Sequence, residues 1–348
     1  MEVPTVGTNS TGTVRVHFVG MKDEFRQSNP QHTRLVQTAL GMEPLTNARH
    51  LLQPVPLPPF RPPLLPGPRT QTNFVIDLEG PFPVAAEVVH ALLDSLRGGD
   101  TGWFRVWAKF AERSSKSSGV WHTGDAIPNT GPLLAVALSW ELTGLLFEGI
   151  EAARELGGYA ASVQGRFAPL GVIIVPRETP ATAAERATRL LAIKERFARS
   201  VEMRLLTSGR AFPARSVWRA AYALGLTWGD MDLFHWHEPS AGLRLFTLSS
   251  LGQPGYFLPE RAAEGEGVPG LLLSFELPLC PAPLPTYDRM AIALSFLSEN
   301  LGGRPASADG REFDADALYD QRDALEEADR LLRAAGLPPG SPEAQAFF

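Results

Sequence analysis

The chain has 348 residues, of which 44 % are hydrophobic and 20 % charged, with a formal net charge of −6. That length favours two domains with separate cores, and the mild acidity excludes a nucleic-acid binder, which needs a concentrated basic face to neutralise phosphates. Cys280 is the sole cysteine, which rules out an intramolecular disulfide and implies a reducing compartment.

The N-terminus MEVPTVGTNSTGT is polar and lacks the basic, apolar and small-residue series of a secretory signal. No apolar run reaches the ~20 residues needed to cross a bilayer, so a soluble, cytoplasmic protein without direct membrane insertion is expected. Residues 1–70 read as a proline-rich, largely disordered arm, with one short strand at 13–19 (TVRVHFV) and then QPVPLPPFRPPLLPGPRT, whose prolines remove backbone donors and favour extended polyproline structure. Within it PLPPFRPPLL also has the composition of a docking peptide for another protein.

After Pro68 strand-like and helix-like runs alternate. NFVIDLEG reads as a strand, and PVAAEVVHALLDSL as a helix with Val84, Val88, Ala91, Leu92 and Leu96 on one apolar face. Strands follow at 103–111 and 133–142, then a helix at 145–156 that Gly157 and Gly158 are expected to stop. A charged amphipathic helix at 182–199 closes this half.

The same order returns. A strand at 201–207 (VEMRLLT), a helix at 214–224 and strands MDLFHWH, LRLFTLSS and GLLLSFELP precede a helix at 287–301 that ends at Gly302 and Gly303. A second charged helix follows at 316–335, with Glu326 and Arg330 as an i, i+4 pair. Local likeness supports a tandem duplication with halves 71–199 and 200–348: LAVALSWEL against LLLSFELPL, and GWFRVWAKFA against GDMDLFHWHE.

GDMDLFHWH poses the sharpest chemical question, because His235 and His237 two apart on a strand could reach one cation. No further ligand stands at a suggestive spacing, so a structural role, with the imidazoles hydrogen-bonding strand or loop groups, fits better and no metal or cofactor is expected. Asp77, Glu79, Asp230 and Glu276 are carboxylates near strands and Ser274 is a conceivable nucleophile. No phosphate loop, GxSxG elbow or Cys/His pair accompanies them, so no catalytic residue is assigned and a non-enzymatic protein is expected.

The run GLTWGDMDLFHWHEPSAGLRLFTLSSLGQPGYF, continuing to VPGLLLSFELP and LSENLGG, resembles the C-terminal domain of the bacterial division protein ZipA over roughly residues 201–335. The resemblance implies an α+β fold, here two tandem split βαβ-type domains, each an antiparallel sheet with helices on one face. It also implies an open, apolar opposite face that holds the C-terminal peptide of FtsZ, the division-ring GTPase. Residues 71–199 would be a degenerate copy and 200–348 the peptide-binding domain.

Strand alternation puts Met231, Leu233, His235 and His237 on one face, with Asp232, Phe234 and Trp236 on the other. By resemblance, Met231 and Leu233 line the peptide cleft, Leu251 replaces a second cleft methionine, and Gln253 stands where the family has a basic residue. Leu272 and Ser274 occupy the cleft strand, Ser274 in place of an aromatic; Met203 and Leu205 represent the first strand. In the first half Phe104 and Val106 fall opposite Met231 and Leu233. The function implied is binding the FtsZ tail at the division site, regulating or crosslinking filaments. The alternative is a scaffold or oligomerisation module with another protein partner; a membrane-bound division protein and a homodimer are the other partners considered.

Overall fold

The computed structural model describes residues 6–8, 14–16, 40, 47–58, 67–79, 103–112, 115–123, 127 and 133–348. The chain divides into two compact units: a C-terminal unit of Met1–Pro58 with Arg199–Ala344, and a central unit of Pro59–Ala198 with Gln345–Phe348. Both are antiparallel sheets with helices, an α+β architecture. Of the arm, β1 (Val6–Thr8) and β2 (Val14–Val16) form a two-stranded ribbon, and residues 47–58 pack on the C-terminal unit. The helix expected over 83–96, and most of the arm expected to be disordered, lie outside the described residues.

The central unit holds β3 (Asn73–Glu79), β4 (Arg105–Glu112), β5 (Ser115–Thr123), β6 (Leu133–Glu141) and β7 (Ile173–Pro176), in sheet order β5-β4-β6-β3-β7. Its helices are α1 (Gly149–Phe167) and α2 (Pro180–Phe197). Contrary to expectation α1 does not stop at Gly157 and Gly158. Its buried residues Ala152, Leu156, Tyr159, Val163 and Phe167 keep the helical spacing straight through them, so continued packing outweighs the ~1 kcal/mol that each interior glycine costs. On the helix side, Trp140 stacks on Tyr159 at 5.7 Å and meets Phe74 at 6.1 Å. Thr179 caps α2, accepting from the Thr182 amide at 3.2 Å just ahead of Pro180.

The C-terminal unit holds β8 (Ser200–Leu206), β9 (Phe212–Pro213), β10 (Thr227–Trp228), β11 (Phe234–His237), β12 (Arg244–Ser250), β13 (Gly267–Val268), β14 (Gly270–Glu276) and β15 (Arg304–Ala306). The main sheet runs β10-β11-β12-β14-β8-β15, with β9 and β13 paired separately. Its helices are α3 (Ala214–Ala223), α4 (Pro259–Glu264), α5 (Pro283–Leu301) and α6 (Ala315–Ala334); α7 (Pro342–Phe347) ends the chain and straddles the boundary at Ala344. Trp218 of α3 anchors the core, its ring 4.9 Å from Phe234 and 5.4 Å from Trp228. On α6 the pairing is Arg330 with Glu327 at 2.6 Å and Arg333 with Asp329 at 2.8 Å, so Arg330 takes the i−3 carboxylate instead of Glu326.

Half of each sheet follows one plan. β6 pairs its last residue Glu141 with Asn73, the first of β3, and β14 pairs Glu276 with Ser200, the first of β8. A 3-10 turn follows in each, Leu142–Gly144 and Leu277–Leu279, and then a 19-residue helix. The middle strands differ: the neighbour of β6 is β4, the next described strand of the central unit after β3, whereas the neighbour of β14 is β12, with β11 one place further out. β4 therefore occupies the place of β12, and Phe104 and Val106 do not stand opposite Met231 and Leu233 as the sequence matching had them.

Candidate peptide-binding face

In the C-terminal unit, alternation decides which side chains face the helices. Met203 and Leu205 of β8 pair with Leu273 and Leu271 of β14, and all four are fully buried. Met203 and Leu205 are thus core residues and not part of an open face. A strand reading VEMRLL has one apolar and one charged set, and the helix side takes the apolar one because that is where burial is available. The opposite face of β8 carries Glu202, Arg204 and Leu206, and Leu206 joins the candidate face as an apolar residue that the family resemblance does not point to.

Hydrogen-bond register assembles the rest of this face. Glu202, Ser274, Thr247 and His235 form one cross-strand row, while Arg204, Leu272 and Ser249 form the next. Extending the register places Leu233 opposite Ser249. In the third row the Leu251 amide donates to the Gly270 carbonyl at 2.9 Å and Gly270 pairs with Leu206. A Cβ on Gly270 would stand 2.8 Å from Leu251 Cδ1, so the missing side chain is what lets Leu251 lie across the strand. Leu206, Leu233, Leu251 and Leu272 are all half-buried and make one end of the face apolar.

Arg204 and Ser249 share the middle row with Leu272 and Leu233, and the row beyond it is polar. Thr247 and Ser274 hydroxyls lie 3.3 Å apart, Ser249 Oγ donates to the Leu272 carbonyl at 3.5 Å, and Arg204 pairs with Glu202 at 3.0 Å. The face therefore suits a peptide with aliphatic anchors toward one end and hydrogen-bonding groups toward the other.

Met231 is not in the strand. Residues 230–232 form a 3-10 turn in which Met231 and Asp232 adopt φ of 56° and 58°, a left-handed conformation costing roughly 1–2 kcal/mol for a residue with a side chain. The turn is held by Asp232 N to Gly229 O and Gly229 N to Leu233 O, both 3.0 Å. It leaves Met231 68 % exposed, directly ahead of Leu233. An M-D-L-F-H-W-H alternation looks like one uninterrupted strand, and nothing in it signals this turn except the preceding Gly-Asp. Gln253 is exposed in the loop after Leu251, adjoining a cis peptide to Pro254.

Phe234 and Trp236 face the helices, 0 % and 3 % exposed. His235 is buried, with Nε2 2.8 Å from the Asp230 carbonyl, and His237 Nδ1 lies 3.2 Å from Thr227 Oγ1. Desolvation holds both imidazoles below their ordinary pKa, the backbone bond to Asp230 opposing this in His235 and the charges of His235 and Arg244 adding to it in His237. Each ring thus serves the edge of the sheet. Among the described residues no group of three His, Cys, Asp or Glu side chains could hold a metal ion. Three of the four carboxylates weighed for catalysis have structural partners: Asp77 with Arg177 at 2.7 Å, Asp230 with Arg244 at 3.3 Å, and Glu276 accepting from Ser200 Oγ at 2.5 Å.

In the central unit the corresponding face has a different character. Val75, Trp107 and Ala137 are buried there at 1 %, 6 % and 0 % exposure, and Trp121 packs against them. Trp107 Nε1 donates to Ser139 Oγ at 2.9 Å and Arg105 lies over its ring.

Comparison with known proteins agrees with the sequence resemblance. Residues 200–324 match the family described as ZipA, C-terminal FtsZ-binding domain. The cell division protein ZipA of Shewanella loihica is 33 % identical over 97 residues, covering 27 % of this chain and 29 % of that protein. ZipA of Shewanella woodyi is 34 % identical over 84 residues, 24 % of this chain and 27 % of the relative. The chain thus spans under a third of the length of these curated relatives. No helix among the described residues is long and apolar enough to cross a membrane.

Proposed function

We propose, from the likeness of residues 200–324 to the ZipA C-terminal domain family, that this is a non-enzymatic cell-division protein whose C-terminal unit binds the C-terminal tail of FtsZ. The observation that carries this reading is the face of β8, β14, β12 and β11 turned away from the helices, where Leu206, Leu233, Leu251 and Leu272 are half-buried in adjoining rows. A short peptide ordering on such a shallow surface loses conformational entropy that a few aliphatic anchors offset. Leu233, Leu251, Leu272 and Leu206 are those anchors, Met231 extends the surface at one side, and Ser274 and Gln253 contribute polar contacts. The site acts in the cytoplasm, where FtsZ filaments assemble.

The central unit is a structural counterpart of common origin, a reading supported by the shared register of β3–β6 and β8–β14 and limited by the exchanged middle strands. A more polar partner peptide is the second reading, favoured by the half-buried row Thr247, Ser274 and Glu202. Titration of the full chain with an FtsZ tail peptide tests the first: saturable binding below about millimolar is expected, weakened about tenfold by Leu272→Lys. Absence of binding, or binding indifferent to that substitution, would overturn it.

A further inference from the structure

The C-terminal unit already has a peptide seated on it, at a place distinct from the candidate face. Residues 47–58, NARHLLQPVPLP, belong to this unit by contact although residues 59–198 separate them in sequence from the remainder. Ala48, Leu52 and Val55, spaced i, i+4, i+7, are 5 %, 3 % and 3 % exposed. Each polar contact uses main-chain atoms of the segment. The Ala48 amide donates to the Ala223 carbonyl at the end of α3 at 3.0 Å, and Arg289 Nε of α5 donates to the Gln53 carbonyl at 2.8 Å. The Arg49 side chain crosses Gly225, where a Cβ would stand 2.9 Å from its Cγ.

The third contact is with a buried charge. Glu238, 0 % exposed at the turn from β11 to β12, accepts through Oε2 from Ser240 N at 2.8 Å, Ser240 Oγ at 2.6 Å and Ala241 N at 2.7 Å. The Val55 amide is directed at the same carboxylate. Oε1 has no close partner, so this contact is a longer charge–dipole one. Burial alone would raise the pKa of Glu238, and these donors together outweigh it and hold the group ionised.

Three apolar anchors plus main-chain hydrogen bonds are how short linear motifs are recognised. Within the unit, Arg199–Ala344 is one continuous stretch containing every strand of the six-stranded sheet, so departure of the segment breaks no strand of it. We propose that the groove between the end of α3, α5 and the β11–β12 turn is a second peptide-docking site. It takes segments of the form Ala-x-x-x-Leu-x-x-Val-Pro. This chain's own residues 47–58 occupy it, and the same segment of a second copy exchanges with them.

The test uses the full chain with Leu52→Asp, titrated with a fluorescent peptide of residues 47–58. Saturable binding in the micromolar range is expected, at least about tenfold weaker to the unaltered chain, whose groove is filled, and lost with a peptide carrying Leu52→Asp and Val55→Asp. A Leu52→Asp chain that keeps its native circular dichroism yet does not bind the peptide would overturn the proposal. If that variant does not fold, hydrogen exchange of the unaltered chain decides. Amides of Ala48 and Val55 exchanging at least about tenfold faster than that of Leu273 support a detachable segment; exchange as slow as Leu273 shows an integral part of the core and refutes it.

Discussion

Glu141 and Glu276 occupy the same place in their two sheets, each the last residue of a strand, each paired with the first residue of its neighbour, each followed by a 3-10 turn and a 19-residue helix. Away from the helices the two sheets diverge. The central unit fills that face with Trp107 and Trp121 over Val75 and Ala137, whereas the C-terminal unit leaves Leu272, Ser274, Thr247 and Ser249 half-buried. The difference follows from the strand beside β6 and β14, which is β4 in one sheet and β12 in the other. RVWAKFA brings an indole to the face, and RLFTLSS brings two small hydroxyls that leave the neighbouring leucines accessible. One frame therefore carries a closed face in one unit and a partly open one in the other.

Substitutions on the two faces sharpen this contrast. Trp107→Ala removes a buried indole and is expected to cost about 3–5 kcal/mol of stability in the central unit, read in thermal or denaturant unfolding, with little change in affinity for an FtsZ tail peptide. Leu272→Ala reverses the pattern: under about 1 kcal/mol of stability, because the side chain is already half in water, and a loss of about fivefold or more in peptide affinity by calorimetry. Equal stability costs at the two positions would remove the distinction between a closed and an open face. At the turn ahead of β11, Met231→Gly relieves the left-handed backbone and is expected to stabilise the unit by up to about 1 kcal/mol while weakening peptide binding.

A pH series probes the imidazoles of β11 near the edge of the C-terminal sheet. Both His235 and His237 have pKa values lowered in the folded state from 6.5, chiefly by burial. The unfolded chain then binds more protons as pH falls through 6.5, so stability present at neutral pH is lost progressively below that value. His235→Gln is expected to flatten the dependence between pH 7 and 5 in chemical denaturation. An unchanged slope would show that the imidazoles do not set it.

Much of this frame was readable from residue pattern. Alternation marked β8 and β12, short apolar runs marked β3, β6 and β14, and the paired glycines after Leu301 marked the end of α5. The failures have local causes. β5 begins SKSS, without alternation, and β7 is four residues long, too short for a period to show. The run of α1 through two glycines reflects tertiary packing against Trp140, which no cap rule contains. For the candidate face, Leu233, Leu251, Leu272 and Ser274 were legible from resemblance and register together. Met203 and Leu205 were misassigned because apolar residues were sought on the binding side, although the helices claim the apolar set first. Met231 was placed in a strand because a left-handed turn at Met-Asp has no signature in hydrophobic period.

The direct test of the open face is methyl NMR of the full chain during titration with an FtsZ tail peptide. The account predicts saturable shifts of the Leu206, Leu233, Leu251 and Leu272 methyls, with Leu205, Leu273, Val75 and Leu138 unmoved. Shifts confined to the central unit, or no saturable shift at Leu272, would contradict it.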